Sequence, residues 1–289
     1  MPRVVAGQPG QVAMRMFAGE DDAVLSGTPT ASVVDWLGNA IAGATVWASD
    51  AVPGVWMVVL PDEATDAVRR LTVTLTGTID GGLFDGRQMA VESTVDVVGA
   101  RCFDLGELRD APGMAATRWT TAQLDQARDV VEQRAEQFFL TSLVVTPQVW
   151  RAKACEMATR DGAHRLAERY VRTVVAVTDD SGIVDVSGAV VAPWGVIRGL
   201  SLSGDVTVLG TRGYSDVPPA DLRHSLIAWA CDVVVQQGDT GNSRRAISLS
   251  NDVESYRLAT ATADYPSGIP DVDATLRSWR DLLRLPGIA

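Results

Sequence analysis

The spacing of apolar residues changes character along the chain. Over residues 12–100 apolar positions recur every second residue in short runs (AMRMF, TASVVDW, ATVWA, VWMVVL, RLTVTLTGTI and MAVESTVDVV). A period of two is what a strand shows when one face packs and the other meets water. Leu71, Val73 and Leu75 alternate in this way with Thr72, Thr74 and Thr76. Turn residues at 19–22, Gly38-Asn39, Pro53-Gly54, Pro61-Asp62 and Asp80-Gly81-Gly82 separate the runs. The pattern predicts an antiparallel β-sandwich of about six or seven strands. Trp36, Trp47 and Trp56 are expected in its core or at its rim, with a ligand platform as the alternative.

The period then shifts to that of a helix. TTAQLDQARDVVEQRAEQFF (120–139) aligns Leu124, Ala127, Val131, Ala135 and Phe138 on one face, with Asp125, Asp129, Glu132 and Glu136 on the other. Thr120 with Gln123 fits a capping box. A second helix, 217–237, carries Leu222, Leu226, Trp229, Ala230 and Val233 as its stripe. Pro219 suits its first turn and Gly238 its stop. Neither helix buries its stripe alone, so the pair is expected to form one core. Between them, β-forming runs separated by turns at Asp161-Gly162, at 179–182 and at Pro193-Trp194-Gly195 predict a small antiparallel sheet over about 143–213, ending in DVTVLGTRGY.

Residues 105–118 lose the alternation and collect Gly106, Pro112 and Gly113, which puts the domain boundary near Pro112. After Gly238 the chain is polar and rich in Ser and Gly, the pattern of an extended arm. A closing helix over about 271–285 has Val272, Leu276, Trp279 and Leu283 as its stripe. The expected class is therefore α+β with two domains. A sandwich at 1–112 precedes a helical domain at 113–238 that carries the β insert, and 239–289 form the arm and short helix. VDWLGNAIAGATVWAS (34–49) resembles the start of immunoglobulin-like and carboxypeptidase-regulatory-like modules, which implies an immunoglobulin-like sandwich and no particular function.

Composition narrows the choice of function. The net charge of −11 disfavours broad contact with nucleic acid phosphates. The acidity is uneven, with 15 acids and 7 bases in residues 1–112 against 21 and 18 in the rest. Cys102, Cys155 and Cys231 are widely spaced in apolar sequence, as buried reduced thiols would be. No run approaches the roughly 18 apolar residues of a membrane span, and no charged start with an apolar run marks a leader.

Few residues suggest chemistry. His164 and His224 lack partners at metal-ligand spacing, and no GxxxxGK[ST], GxGxxG, GxSxG or HExxH occurs. Asp271 with Asp273, Asp80 with Asp85, and Asp179-Asp180 are acid pairs that suit either a divalent cation or, more simply, caps and Asx turns. No metal, cofactor or catalytic residue is expected. Arg244-Arg245 and Tyr256-Arg257 form the densest group of residue types enriched at protein interfaces, with a solvated loop as the alternative.

The order of parts resembles a known family. ARDVVEQRAEQFF, a strand-rich insert, VTVLGTRGY, DVPPADLRHSLIAWA, RRAISLSNDVESYRLATA and SGIPDVDATLRSW follow one another as in the head-to-tail adaptor (connector) proteins of long-tailed bacteriophages, especially those of actinobacterial hosts. The resemblance runs over about 120–279. Its most specific pieces are the Gly-Tyr end of the last strand leading into Pro218-Pro219-Ala220-Asp221, and Ser267-Gly268-Ile269-Pro270-Asp271-Val272-Asp273. It implies a non-enzymatic virion protein assembled in the host cytoplasm. About twelve copies would form a ring under the portal, with the stopper on the other face and DNA passing through unbound. It further implies that the arm grips the portal, making Arg244, Arg245, Tyr256, Arg257, Tyr265 and Trp279 the candidate portal contacts. The acidic sandwich, absent from the minimal family pattern, is expected outside the ring. The rival reading is a carbohydrate-binding or adhesive sandwich on a helical stalk, which requires exposed tryptophans; an enzyme with an unrecognised site is a further one.

Overall fold

A computed structural model describes residues 2–18, 21–22, 24–49, 54–81, 84–237, 246–250, 255–258 and 262–284. The first hundred residues contain β1 (Arg3–Val5), β2 (Gly10–Arg15), β3 (Phe17–Ala18), β4 (Asp21–Asp22), β5 (Thr30–Asp35), β6 (Ala40–Ile41), β7 (Thr45–Ala48) and β8 (Val55–Leu60). The short helix α1 (Asp62–Thr65) and the long strands β9 (Arg69–Thr78) and β10 (Gln88–Val98) follow. A segment of helices comes next, with α2 (Leu105–Asp110) and α3 (Thr121–Phe139). The insert holds β11 (Thr146–Lys153), α4 (Ala154–Met157), β12 (His164–Arg165), β13 (Val171–Asp179), β14 (Gly182–Val184), β15 (Val190–Ala192), β16 (Val196–Arg198) and β17 (Asp205–Arg212). Then come α5 (Ala220–Gln237), β18 (Ala246–Ser250), β19 (Ser255–Leu258) and α6 (Pro270–Arg284). The protein is a mixed α+β chain in which strands predominate.

The expected strand runs correspond to β2, β5, β7, β8, β9 and β10, and the short β1 and β6 add to them. One sheet has the order β1-β10-β9-β5-β6, with β1 parallel to β10; a second has the order β2-β8-β7. Both contribute to one apolar core. Leu71, Val73 and Leu75 of β9 are fully buried there with Val12, Val58 and Leu60 of the second sheet, the outcome their alternation with threonine requires. The turn at Gly38-Asn39 is built by Asp35, whose carboxylate accepts from the Leu37 and Asn39 backbone N–H groups (2.9 Å each).

The insert is antiparallel but forms two sheets where one was expected, ordered β11-β17-β13-β14 and β12-β16-β15, with the turn α4 inside the run expected as strand, around a second core that includes Trp150, Val177, Ile197 and Val208. The Asp161-Gly162 turn is closed by a Thr159 N–H bond to Ala163 O (2.8 Å). Gly210 of β17 lies where β13 bulges. A Cβ there would sit 2.2 Å from Thr173 O, so a side chain is excluded by backbone.

The chain divides into two compact units, Met1–Ala100 with Val145–Gly213, and Arg101–Val144 with Tyr214–Ala289. This differs from a boundary near Pro112 and from an insert belonging to the helical domain. In the first unit Gly99 N–H donates to Val145 O (2.7 Å), so the chain re-enters beside the point where it left. In the second, Tyr214 and Ser215 N–H donate to Ser142 and Leu143 O (3.0 and 3.1 Å) and close the complementary excursion. Residues 105–118, where the sequence puts the domain boundary, are built into the helical unit. Arg109 donates to Met114 O (3.2 Å) and Trp119 O (2.6 Å), and Trp119 Nε1 donates to Gly113 O (3.1 Å).

Candidate functional site

The helical unit is where the sequence places its candidate interface. The start of α3 is fixed by the Thr120–Gln123 capping box, and its end by Leu140 in the left-handed conformation (φ 57°). Leu124, Ala127, Val131 and Ala135 of α3 and Leu222, Leu226, Trp229 and Ala230 of α5 are buried, so the two helices do share the predicted core. Arg223 Nε of α5 approaches Glu107 of α2 (3.3 Å). One expectation fails. Glu132, read as part of the polar face, is fully buried, because its carboxylate accepts from Cys102 N–H (2.8 Å) and pairs with the buried Arg101 (3.0 Å). Arg101 also meets Asp129.

The C-terminal region, expected as an extended arm and short helix, contains a strand pair and a buried turn before that helix. β18 and β19 pair antiparallel, with Leu249 opposite Tyr256 and Ser248 opposite Arg257. Beyond them Ser267, Ile269, Val272, Asp273, Leu276 and Leu283 are buried, and α6 packs in the helical unit, with Arg280 4.5 Å over the Phe138 ring of α3. The motif Ser267–Asp273 is the device that starts α6. Asp273 Oδ1 accepts from Ser267 N–H (2.9 Å) and Oγ–H (2.7 Å), while Ser267 Oγ accepts from Ile269 N–H (3.0 Å). The polar sequence therefore encodes a buried turn, not solvated chain, over these residues.

The six candidate portal contacts fall into four groups. Arg244 and Arg245 lie outside the described residues, and Tyr256 and Arg257 are consecutive on β19. Tyr265 is exposed, with the Arg277 guanidinium 4.6 Å over its ring. Trp279 is engaged within its own unit. Its Nε1–H donates to Asp221 at the start of α5 (2.8 Å), and its ring meets Tyr214 edge-on at 6.1 Å.

The acid pairs act locally. Asp85 accepts from Gly81 N–H (2.7 Å). Asp179 accepts from Ser181 and Ser203 through both backbone and hydroxyl donors (2.6–3.0 Å), and these bonds hold its pKa down at about 2. Thr159 lowers the pKa of Asp161 in the same way, and Ser187 that of Asp185. Among the described residues no three His, Cys, Asp or Glu side chains converge as a metal site would require. Cys102 and Cys231 are buried thiols, but Cys155 is exposed, contrary to expectation, because it lies on the outer side of the single turn α4. No helix among the described residues is long and apolar enough to cross a membrane.

Trp47 and Trp56 of the N-terminal region do not share a platform. Trp56 packs against the core, opposite the buried Met14, whereas Trp47 is exposed and opposite Met57 on the other face of the same sheet. What sequence reading missed lies in the insert. Trp194, treated as a turn residue, takes a positive φ of 71° with the Arg169 guanidinium 5.1 Å over its ring, and Tyr170 has a φ of 59°. Pro193 and Gly195 were the visible signals of that turn.

No protein-family model matches the chain, and no curated protein matches it. Among solved structures, a chain from the neck of an empty GTA particle computed with C6 symmetry is similar at 17% identity, over 61% of this chain and 89% of that one, with a TM-score of 0.37. That superposition is too loose to define a shared fold, and the functional reading rests on this chain's own elements.

Proposed function

We propose that the chain is a structural, non-enzymatic head-to-tail adaptor of a bacteriophage virion. In this reading its copies form a ring, of about twelve, between the portal and the stopper, and DNA passes through the ring without specific binding. One observation carries the reading. The two most specific pieces of the family resemblance sit at the two structural joints of the helical unit. Gly213-Tyr214 closes the insert where Tyr214 N–H meets Ser142 O and its ring meets Trp279. Ser267–Asp273 builds the buried start of α6. A family motif that is needed to shape the fold has a physical reason to recur. The order α3, β insert, α5, strand pair, α6 is likewise the order the resemblance requires.

The strand pair between α5 and α6 stands where the portal-gripping arm is expected, and Arg244, Arg245, Tyr256 and Arg257 are its contacts in this reading. The N-terminal two-sheet region is read as an immunoglobulin-like module outside the ring, in keeping with an acidity that would oppose DNA phosphates. Trp279 is withdrawn as a primary contact because it ties α6 to α5.

The test is co-sedimentation with the portal protein of the same particle. The full chain is compared with a variant carrying Arg244→Ala, Arg245→Ala, Tyr256→Ala and Arg257→Ala, which leaves α6 intact. Co-sedimentation by the full chain and its loss in the variant supports the arm. Equal binding by both removes the arm assignment, and no binding by either, with no ring in images of assembled necks, removes the adaptor reading.

A further inference from the structure

Among the described residues, the edge of β11 away from β17 pairs with no other strand. Lys153 of β11 faces Asp205 of β17, and the next pair in that register is bonded through Ala154 N–H to Gly204 O (2.9 Å). In an antiparallel ladder bonding alternates, so Gln148, Trp150 and Ala152 turn their backbone groups to β17. Val149 and Arg151 turn theirs outward. Val145, of the same parity, accepts from Gly99 N–H, Pro147 offers no N–H, and Val149 O accepts from the Gln148 side chain (3.3 Å). Arg151 is left with an outward N–H and C=O that meet no partner among the described residues.

A cleft of about 660 Å³ adjoins this edge, lined by 149–152 and 165–169. Buried Trp150, Met157 and Leu166 give it an apolar floor. Arg151, Arg165 and Arg169 stand at its rim, with Arg169 stacked on Trp194. Of the two lining carboxylates, Glu168 is engaged by Arg212, which leaves Glu156. Arg151 and Arg165 have no carboxylate partner among the described residues. Unpaired backbone groups and an apolar floor are what strand addition to a sheet edge uses, and the cationic rim adds charge complementarity to an acidic partner.

We propose that this cleft docks an extended acidic segment of a partner polypeptide, which adds to the Arg151 edge of β11, seats an aliphatic side chain on Trp150 and Leu166, and sets carboxylates against Arg151 and Arg165. The site is independent of the adaptor reading. A nucleic acid strand is the lesser fit, because it would not use the backbone edge and the chain's net charge of −11 opposes it.

The test uses the full chain and a fluorescein-labelled peptide of alternating Glu with Val and Leu, followed by fluorescence anisotropy. Saturable binding that weakens with salt, is absent for the matching Lys peptide, and falls about tenfold in the Arg151→Glu, Arg165→Glu variant is the expected result. A peptide N-methylated at alternate residues should bind as poorly, since it cannot complete the ladder. Lack of saturable binding, equal binding of the Lys or N-methylated peptide, or displacement by oligothymidylate as effective as by unlabelled peptide overturns the proposal. Should the variant fail to fold, the three peptides and the oligonucleotide on the wild-type chain decide it.

Discussion

Glu132 shows how a single residue departs from its periodicity. Helical spacing put it among the acids of α3, yet its carboxylate is buried with Arg101 and the Cys102 N–H, partners thirty residues away that no local pattern can reveal. Removing Glu132 strips the acceptor from the buried Cys102 N–H and one of two carboxylates from Arg101, which keeps Asp129, so Glu132→Ala is expected to cost about 1–3 kcal/mol in urea unfolding. A loss below about 1 kcal/mol would mean that the site relaxes or admits water. Asp179 makes the opposite case, since a turn-forming aspartate was legible from Asp179-Asp180-Ser181-Gly182 while its second partner, Ser203, was not. Its folded pKa of about 2 lies below its ordinary 3.8. The stability it contributes is therefore present above about pH 4 and is lost as the pH falls through 3.8 toward 2. In Asp179→Asn that portion of the acid dependence should vanish, with the amide resonances of Ser181 and Ser203 no longer titrating together.

At the scale of elements, long periodic segments were read well and short ones poorly. The stripes of α3 and α5 and the alternation of β9 each commit many residues to one face, so few other arrangements would bury them. α2 was missed because six residues with an internal glycine give no period, although Asp104 and Glu107 form a capping box that marks its start. The arm was overextended for a different reason. Ser267 and Asp273 look like solvated residues until their mutual bonds are seen, and those bonds make polar sequence compatible with burial. Two outcomes follow for α6. Leu276→Ala should cost about 2–5 kcal/mol, as for other buried leucines. Asp273→Ala, which strips the acceptor from two buried donors, should cost about 1–3 kcal/mol. Chemical unfolding measures both, and a neutral result for either would detach α6 from the core.

Across the whole molecule, the chain crosses between its two units at residues 100/101, 144/145 and 213/214. A reading by composition puts one boundary at a proline- and glycine-rich stretch and has no way to see that a segment returns to an earlier unit. The return is fixed by pairings such as Gly99 with Val145, which depend on three-dimensional closeness alone. Each unit has its own buried core, so each should lose structure as its own cooperative block. Leu226→Asp puts an unpaired charge in the fully buried centre of α5. Amide exchange should then become fast throughout α3, α5 and α6, while β9 and β10 keep their protection, as does the insert sheet that shares their unit. Loss of protection in β9 and in α5 together would show that the units unfold as one block, and the helices would then be a support for the strands rather than a unit with its own core. Retained protection everywhere would remove Leu226 from that core. The pattern expected here is loss confined to 101–144 and 214–284, which would make the twice-interrupted chain a pair of independent folding blocks.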